Sequence, residues 1–197
     1  MTSQSKRRIS RKERRRQELA AQKRKRILFT WVPIGMIAIG FVGLILYRIF
    51  EPDLANIVTF GTLSRDHDLE AEFENTGLPP TGGSHNPSWQ NCGIYDAPVD
   101  TSAAVHSLEH GAVWLTYRPD LPETQVAELR DLVRGKGFVL MSPFPEQEAK
   151  VVMSAWSTQL AIDSLPDGQI EQFVDRYRGQ GPESGASCTG GIGTPIG

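Results

Sequence analysis

Two histidines and a glutamate stand within five residues of one another, in the segment Val105-His106-Ser107-Leu108-Glu109-His110-Gly111. Imidazoles and a carboxylate this close together can bind a metal ion or move protons near neutral pH. The spacing His-x-x-Glu-His also matches the inverted zinc-peptidase pattern. The segment therefore indicates metal binding, acid–base catalysis or a hydrogen-bonded brace, and the sequence leaves these three alternatives open.

The backbone geometry of this segment is also open. In a helix, His106, Glu109 and His110 share a face, as the peptidase pattern requires. In a strand, the two histidines still share a face, but Glu109 points to the opposite side. Gly111 and a β-prone run, residues 112–117, follow at once, so only a short helix fits before them. Both geometries pair the histidines.

A third histidine, His85, lies in a loop rich in Pro, Gly, Ser and Asn, residues 77–91. Loops of this kind, held by a folded scaffold, often carry functional groups. We expect His85, His106 and His110 to bind copper or zinc, since both metals accept neutral imidazole. Glu109 is expected beside the ion rather than on it, and His67 is expected to be solvated within an acidic segment.

No catalytic residue is assigned, and the interpretation leans away from an enzyme. The alternatives are a structural or protein-interaction module of the cell envelope, and a metallohydrolase with Glu109 as its base.

The chain has two cysteines, Cys92 and Cys188. In an oxidising compartment such a pair is expected to form a disulfide, which would hold the Gly-rich tail on the domain. Free thiols that bind copper are the alternative. No Cys-x-x-Cys motif is present, which argues against a redox role.

Charge and hydropathy divide the chain. Residues 1–26 contain twelve Lys/Arg and two acidic residues, whereas residues 51–197 carry a net charge of −13. Between them, residues 27–47 form 21 uncharged positions, enough for about 30 Å of helix. This run is longer than the apolar part of a signal peptide and has no small-residue cleavage site. We therefore interpret it as an uncleaved signal anchor rather than a cleaved signal peptide or a buried core helix.

The position of the basic block predicts orientation. By the positive-inside rule the N-terminus is cytoplasmic, and the C-terminal domain is extracytoplasmic, anchored in the cell membrane by a single pass. The expected partners are the lipid bilayer and, for the basic tail, anionic lipid headgroups. An envelope protein partner is left unspecified, and nucleic acid is not expected.

Periodicity predicts the fold of the soluble part. Strands are expected over residues 112–117, 138–141 and 151–156, helices over 122–134 and 167–178, and a short strand over 56–60. This order predicts an α+β domain with a small mixed sheet and two packed helices, preceded by one N-terminal transmembrane helix. The expected segments are a basic cytoplasmic tail (1–26), a transmembrane signal anchor (27–48), a juxtamembrane linker (49–61), an extracytoplasmic α+β domain (62–183) and a Gly-rich tail tethered by Cys188 (184–197).

Several segments together resemble one family. They are Pro79-Pro80-Thr81-Gly82-Gly83-Ser84-His85, residues 92–99, residues 105–111, Ser142-Pro143-Phe144-Pro145, Ala155-Trp156 and Gly181-Pro182-Glu183. They resemble an uncharacterised bacterial membrane-anchored family known as domain of unknown function 3105, over about residues 55–190. The resemblance implies a membrane-anchored extracytoplasmic domain and assigns no activity, so function has to be argued from the residues.

Overall fold

The computed structural model describes residues 11–50, 54–183 and 185–196. The chain divides into two compact units, residues 1–53 and 54–197. The first ten residues of the predicted basic tail lie outside the described residues, as do residues 51–53 of the predicted linker and residues 184 and 197 of the predicted Gly-rich tail.

The first unit contains one long helix, α1 (Arg11–Phe50). Its N-terminal part is rich in Arg, Lys, Glu, Gln and Ala, which are strong helix formers, and its C-terminal part is the apolar run. The stretch Arg11–Leu46 is long and apolar enough to cross a membrane, with a mean hydropathy of 2.2 over its most apolar part. Large side chains such as Phe29, Trp31 and Ile39 are exposed. The helix therefore has the length and composition of a membrane anchor, properties that signal sequences share.

The second unit is built on a six-stranded mixed sheet. Its strands are β1 (Val58–Thr59), β2 (Gly93–Ile94), β3 (Val113–Tyr117), β4 (Val139–Pro143), β5 (Val151–Ala155) and β6 (Thr158–Ile162). Across the sheet they lie in the order β1-β6-β5-β3-β4-β2. Strand β4 runs parallel to both β2 and β3, whereas β5 is antiparallel to β3 and β6.

Three helices cover the two faces of this sheet. They are α2 (Thr101–Glu109), α3 (Glu123–Val133) and α4 (Gln169–Tyr177). Because successive side chains of a strand point to opposite faces, Val113 and Leu115 join the apolar residues of α3 and α4 in the larger core. Trp114, on the other face, belongs to a smaller core with Leu108 of α2. Helix α2 is therefore separated from α3 and α4 by the sheet.

The predicted α+β class and mixed sheet are confirmed, and the predicted strands and helices correspond to β1, β3, β4, β5, α3 and α4. Helix α2 and strand β6 were not predicted, so three helices pack on the sheet instead of two. Seven successive residues of α2, from Ala103 to Glu109, are buried, so no polar stripe marks the helical period. The available signal was Asp100, whose side chain accepts a hydrogen bond from the amide of Ala103 at 2.7 Å and caps the helix.

The predicted disulfide between Cys92 and Cys188 is present and joins residues 96 positions apart. The Cys92 amide also donates a hydrogen bond to the Cys188 carbonyl at 2.8 Å. Further along, the amide of Asn91 donates to Ile192, and the amide of Ile192 donates to Trp89. The tail is irregular, but it is bonded along the segment that precedes and includes β2.

Candidate metal centre

The His-x-x-Glu-His motif occupies the C-terminal end of α2. His106 and Glu109 lie in the last turn, and His110 is the C-cap residue with helical φ and ψ. The helical alternative is therefore the one observed, and it places the three side chains on neighbouring positions of one face. All three residues are buried, with relative exposures between 1% and 5%.

Two loop histidines meet this helix end. His67 and His85 form an isolated parallel β-bridge, in which the Asp68 amide donates to the His85 carbonyl at 2.8 Å and the His85 amide donates to the Asp66 carbonyl at 3.0 Å. His85 is fully buried. The His67 ring stacks on the His106 ring, with centroids 4.7 Å apart and an interplanar angle of 26°. The bridge thus brings a second loop histidine to the motif.

Three of these histidines are oriented in the same way, each through a contact of 2.7 Å between its Nδ1 atom and a backbone carbonyl oxygen. The pairs are His85 with Gly83, His106 with Asn86, and His110 with Ser187. Because a carbonyl only accepts, each Nδ1 carries a proton, and in the neutral ring each Nε2 has the free lone pair. Histidines that bind metals are typically held in this way through their other ring nitrogen.

The carboxylate of Glu109 faces the free nitrogens. Its Oε1 atom accepts a hydrogen bond from Nε of Arg65. Its Oε2 atom lies 3.0 Å from Nε2 of His85 and 3.8 Å from Nε2 of His67. Within the described part of the chain, neither this Oε2 nor Nε2 of His85 has a hydrogen-bond partner, because their mutual approach lacks hydrogen-bond geometry.

The side chains form two groups that share His106. In the first, potential ligand atoms of His67, His85, His106 and Glu109 all lie within 4.8 Å of one another. In the second, the same limit holds for His106, His110 and Glu183. The structure thus places the predicted ligands His85 and His106 in one group, and His106 and His110 in the other. The three-histidine set of His85, His106 and His110 stays a prediction.

Sequence reasoning missed three residues of this cluster. His67 was expected to be solvated, and its side chain is indeed 44% exposed, but its ring belongs to the first group. Arg65 bridges Glu109 and Glu183. No local pattern marks these residues, because a β-bridge between distant segments and the return of the C-terminal segment bring them to the helix end. Glu183 had one signal, since it belongs to the segment 181–183 that carried the family resemblance.

Burial lowers the pKa of His106 below its ordinary value of 6.5, and the neighbouring imidazoles lower it further. The contact with the Asn86 carbonyl opposes this shift without reversing it. The His106 ring is therefore neutral at pH 7, which is the form that binds metals. The hydrogen bond to Glu109 raises the pKa of Arg65, so the guanidinium is always charged.

Two cavities of about 440 and 420 Å³ lie away from the cluster, one beside the disulfide and one beside residues 71–80, and no histidine lines either of them. Glu109 itself is 1% exposed and is ion-paired to Arg65. These features fit the binding of a small ion better than the activation of water by Glu109 against a bulky substrate.

A family model described as protein of unknown function (DUF3105) matches residues 67–190. The chain belongs to this family. The DUF3105 match includes His67, His85, the helical motif and Glu183, as well as both cysteines. Arg65 and helix α1 precede it. No curated protein and no solved structure matches the chain.

Proposed function

We propose that this DUF3105 domain binds one transition-metal ion, zinc or copper, through His67, His85, His106 and Glu109. The observation that carries the proposal is the approach of Nε2 of His85 to Oε2 of Glu109 at 3.0 Å, with both side chains buried. A tetrahedral zinc ion with bonds of about 2.0–2.1 Å separates its ligand atoms by about 3.3 Å. The pair is therefore already close to the spacing of two ligands on one ion.

The bracing alternative accounts for only one of the two nitrogens of each histidine ring. It accounts for the Nδ1 hydrogen bonds that hold the histidines to backbone carbonyls. It does not account for the Nε2 side, where lone pairs of His85 and His106 converge with a carboxylate. Burying polar atoms without partners costs about 1–3 kcal/mol each. A site that served only as a brace would leave this cost uncompensated.

The donor set favours Zn²⁺ or Cu²⁺ among the common metals. Imidazole nitrogen suits both ions, and one carboxylate oxygen is an accepted additional ligand. Both cysteines are held in the disulfide, so neither supplies the thiolate that favours Cu⁺. Arg65 offsets the charge of Glu109 in the metal-free protein.

We further propose that the domain is held on the outer face of the membrane by α1. The basic N-terminal part of α1 supports a cytoplasmic N-terminus, and the disulfide supports an oxidising compartment for the domain. The proposed organisation comprises a cytoplasmic tail (1–26), a signal anchor (27–48), a linker (49–61), the extracytoplasmic domain (62–183) and the Gly-rich tail (184–197). The proposed partner of the anchor is the lipid bilayer, and that of the cytoplasmic tail is anionic lipid headgroups.

Calorimetry on the full-length chain in detergent tests the proposal. After treatment with a chelator, the protein is titrated with Zn²⁺ and with Cu²⁺ at pH 7.5. We expect about one equivalent of either ion to bind, and His85→Ala and His106→Ala to abolish binding. Glu128→Gln, an exposed change on α3, is the matched control. Absence of binding by folded wild-type protein would make the structural envelope module the better interpretation.

His67→Ala removes the one partly exposed side chain of the proposed ligand set. Because this side chain is partly exposed, the variant is expected to fold and to bind more weakly, by roughly 10–100-fold as for other losses around a metal site. Electron paramagnetic resonance of the Cu²⁺ complex should show coupling to ring nitrogens and should change in this variant. An unchanged spectrum and affinity would remove His67 from the ligand set.

A further inference from the structure

We propose that a single ion has two alternative positions that pivot on His106, and that the second position, formed by His106, His110 and Glu183, is where the ion enters and leaves. This inference rests on the proposed metal binding and adds a route of exchange to it. The two positions correspond to the two groups of side chains described above.

The shared histidine makes the positions mutually exclusive. Nδ1 of His106 is occupied by the Asn86 carbonyl at 2.7 Å, so only Nε2 is free to bind. One lone pair binds one ion. An ion held by His106 in the first position therefore leaves the second position with only His110 and Glu183, and the reverse transfer deprives the first position of His106.

The two positions differ in ligand number. The first has four potential ligands, His67, His85, His106 and Glu109, of which His67 is exposed. The second has three, His106, His110 and Glu183, of which Glu183 is exposed. A three-ligand site leaves a coordination position for water or an incoming ligand, as open zinc sites do. The second position is therefore the labile one, and the first holds the ion more tightly.

The distance between the positions is short. The His106 ring centroid lies 4.9 Å from that of His85 and 4.6 Å from that of His110. Trp89 packs against both His106 and His110, at 5.8 and 4.9 Å between centroids. An ion passes from one group to the other by exchanging its remaining ligands around His106 beside this apolar ring.

Arg65 links the two carboxylates electrostatically. Its Nε atom donates to Glu109, and its Nη2 atom lies 3.3 Å from Oε1 of Glu183. An ion in one position neutralises the carboxylate of that position. The Arg65 guanidinium then pairs with the carboxylate of the other position. The backbone keeps this spacing, because the Glu183 amide donates to the Glu109 carbonyl at 3.0 Å.

The test separates affinity from the rate of exchange. The full-length chain in detergent is loaded with Zn²⁺, and the release rate is measured after mixing with excess chelator. Glu183→Gln and His110→Ala are expected to slow release by about tenfold, a change typical of groups around a metal site. Equilibrium affinity from titration should stay within about threefold of wild type, since the tighter position keeps its four ligands. Glu128→Gln is again the control.

Each variant has a result that would overturn the two-position proposal. Glu183→Gln carries the test, because the residue is exposed and the substitution keeps its size, whereas His110→Ala also removes the hydrogen bond to Ser187. If Glu183→Gln releases zinc at the wild-type rate, the exchange position is wrong. If His110→Ala lowers affinity as much as His85→Ala does in a protein of wild-type circular dichroism, His110 is a permanent ligand and the two-position proposal fails. Wild-type protein that binds no zinc would overturn the proposed function itself.

Discussion

Nε2 of His85 lies 3.0 Å from Oε2 of Glu109, in a place where both side chains are buried. Nδ1 of the same ring donates to the Gly83 carbonyl, so in the neutral ring Nε2 presents a lone pair to a carboxylate oxygen. Two acceptors at this distance repel each other. A positive charge between them would remove the repulsion, and in the proposed site a divalent ion would do so while also engaging His67 and His106.

The variant Glu109→Gln separates metal binding from bracing. Its amide oxygen can accept from Arg65, and its amide group in place of Oε2 removes the repulsion between two acceptors at Nε2 of His85, so the metal-free fold should keep its stability within about 1 kcal/mol. Loss of the carboxylate should weaken Zn²⁺ binding by at least tenfold. Thermal unfolding of the metal-free protein and zinc titration check the two parts.

The opposite pattern would favour a structural cluster. If Glu109→Gln lowers the thermal midpoint strongly and leaves zinc affinity unchanged, the carboxylate supports the fold and does not bind the ion. The sequence-based assignment of Glu109 beside the ion, rather than on it, would then be the better one.

The metal-free protein should lose stability as the pH falls below about 6.5. The pKa of His106 is lowered by burial in the folded state, so the unfolded chain binds a proton at a higher pH than the folded chain does. Stability therefore rises with pH across the interval between the lowered value and 6.5. Thermal midpoints from pH 8 to pH 5 should fall more steeply for the wild type than for His106→Gln. Equal slopes would show that His106 does not titrate in this way.

The same protons compete with the metal. Since each Nε2 must be unprotonated to bind, zinc affinity should decrease as the pH falls. The low pKa of His106 delays this loss relative to an exposed histidine, because less acid is needed to protonate a solvated ring. Titration at pH 7.5, 6.5 and 5.5 measures the effect, and an affinity independent of pH would exclude imidazole ligands.

The sequence predicted those parts of the fold whose signal is local. Helix α3 shows an apolar stripe against a polar face, and β3, β4 and β5 are short apolar runs bounded by turns. Helix α2 has no such contrast, because the sheet, the loop around His85 and the C-terminal segment bury it from several sides. The helical structure of this segment depends on tertiary packing and on the Asp100 cap.

The candidate site likewise combines residues whose proximity is visible in the local sequence with residues brought together by tertiary contacts. His106, Glu109 and His110 are close in sequence, so their proximity was predictable. His67 reaches them through its β-bridge with His85, and Glu183 reaches them because its amide bonds to the Glu109 carbonyl. These contacts join residues that are 18 and 74 positions apart in the printed sequence, and no local pattern encodes them. Recognition of the family over residues 67–190 indicated the extent of the domain but not its geometry.

Gly181→Ala should destabilise the domain and disturb the exchange position. A Cβ atom at Gly181 would clash with the carbonyl oxygen of Glu109 and the amide nitrogen of Gly111. Backbone has to shift to admit it, at a cost of about 1–3 kcal/mol. Gly137→Ala, which meets no atom within 4 Å, is the control. Thermal unfolding compares the two, and equal midpoints would contradict the close packing of segment 179–183 on α2.

Removing the disulfide should affect both stability and the second group of ligands. In the chain-entropy model a loop of this length contributes about 4–5 kcal/mol, so Cys92→Ser with Cys188→Ser should lower the thermal midpoint markedly. Ser187, the neighbour of Cys188, accepts the Nδ1 hydrogen bond of His110. The double variant should therefore loosen the position of the His110 ring. It should also expose the freed tail to proteolysis. Two alkylatable thiols in wild-type protein taken from the envelope would contradict the bond in the cell.

The proposed orientation in the membrane gives the last prediction. All basic residues of α1 except Arg48 precede its apolar run, so the N-terminus should stay in the cytoplasm and the domain should be translocated. A reporter that is active only outside the cytoplasm, fused after Gly197, should be active, and a cytoplasm-specific reporter there should be inactive. Replacing Lys23, Arg24, Lys25 and Arg26 with Gln should weaken this preference, whereas the same change at exposed basic residues of the domain should not. The reverse pattern of reporter activity would place the histidine cluster in the cytoplasm, where a stable disulfide is not expected.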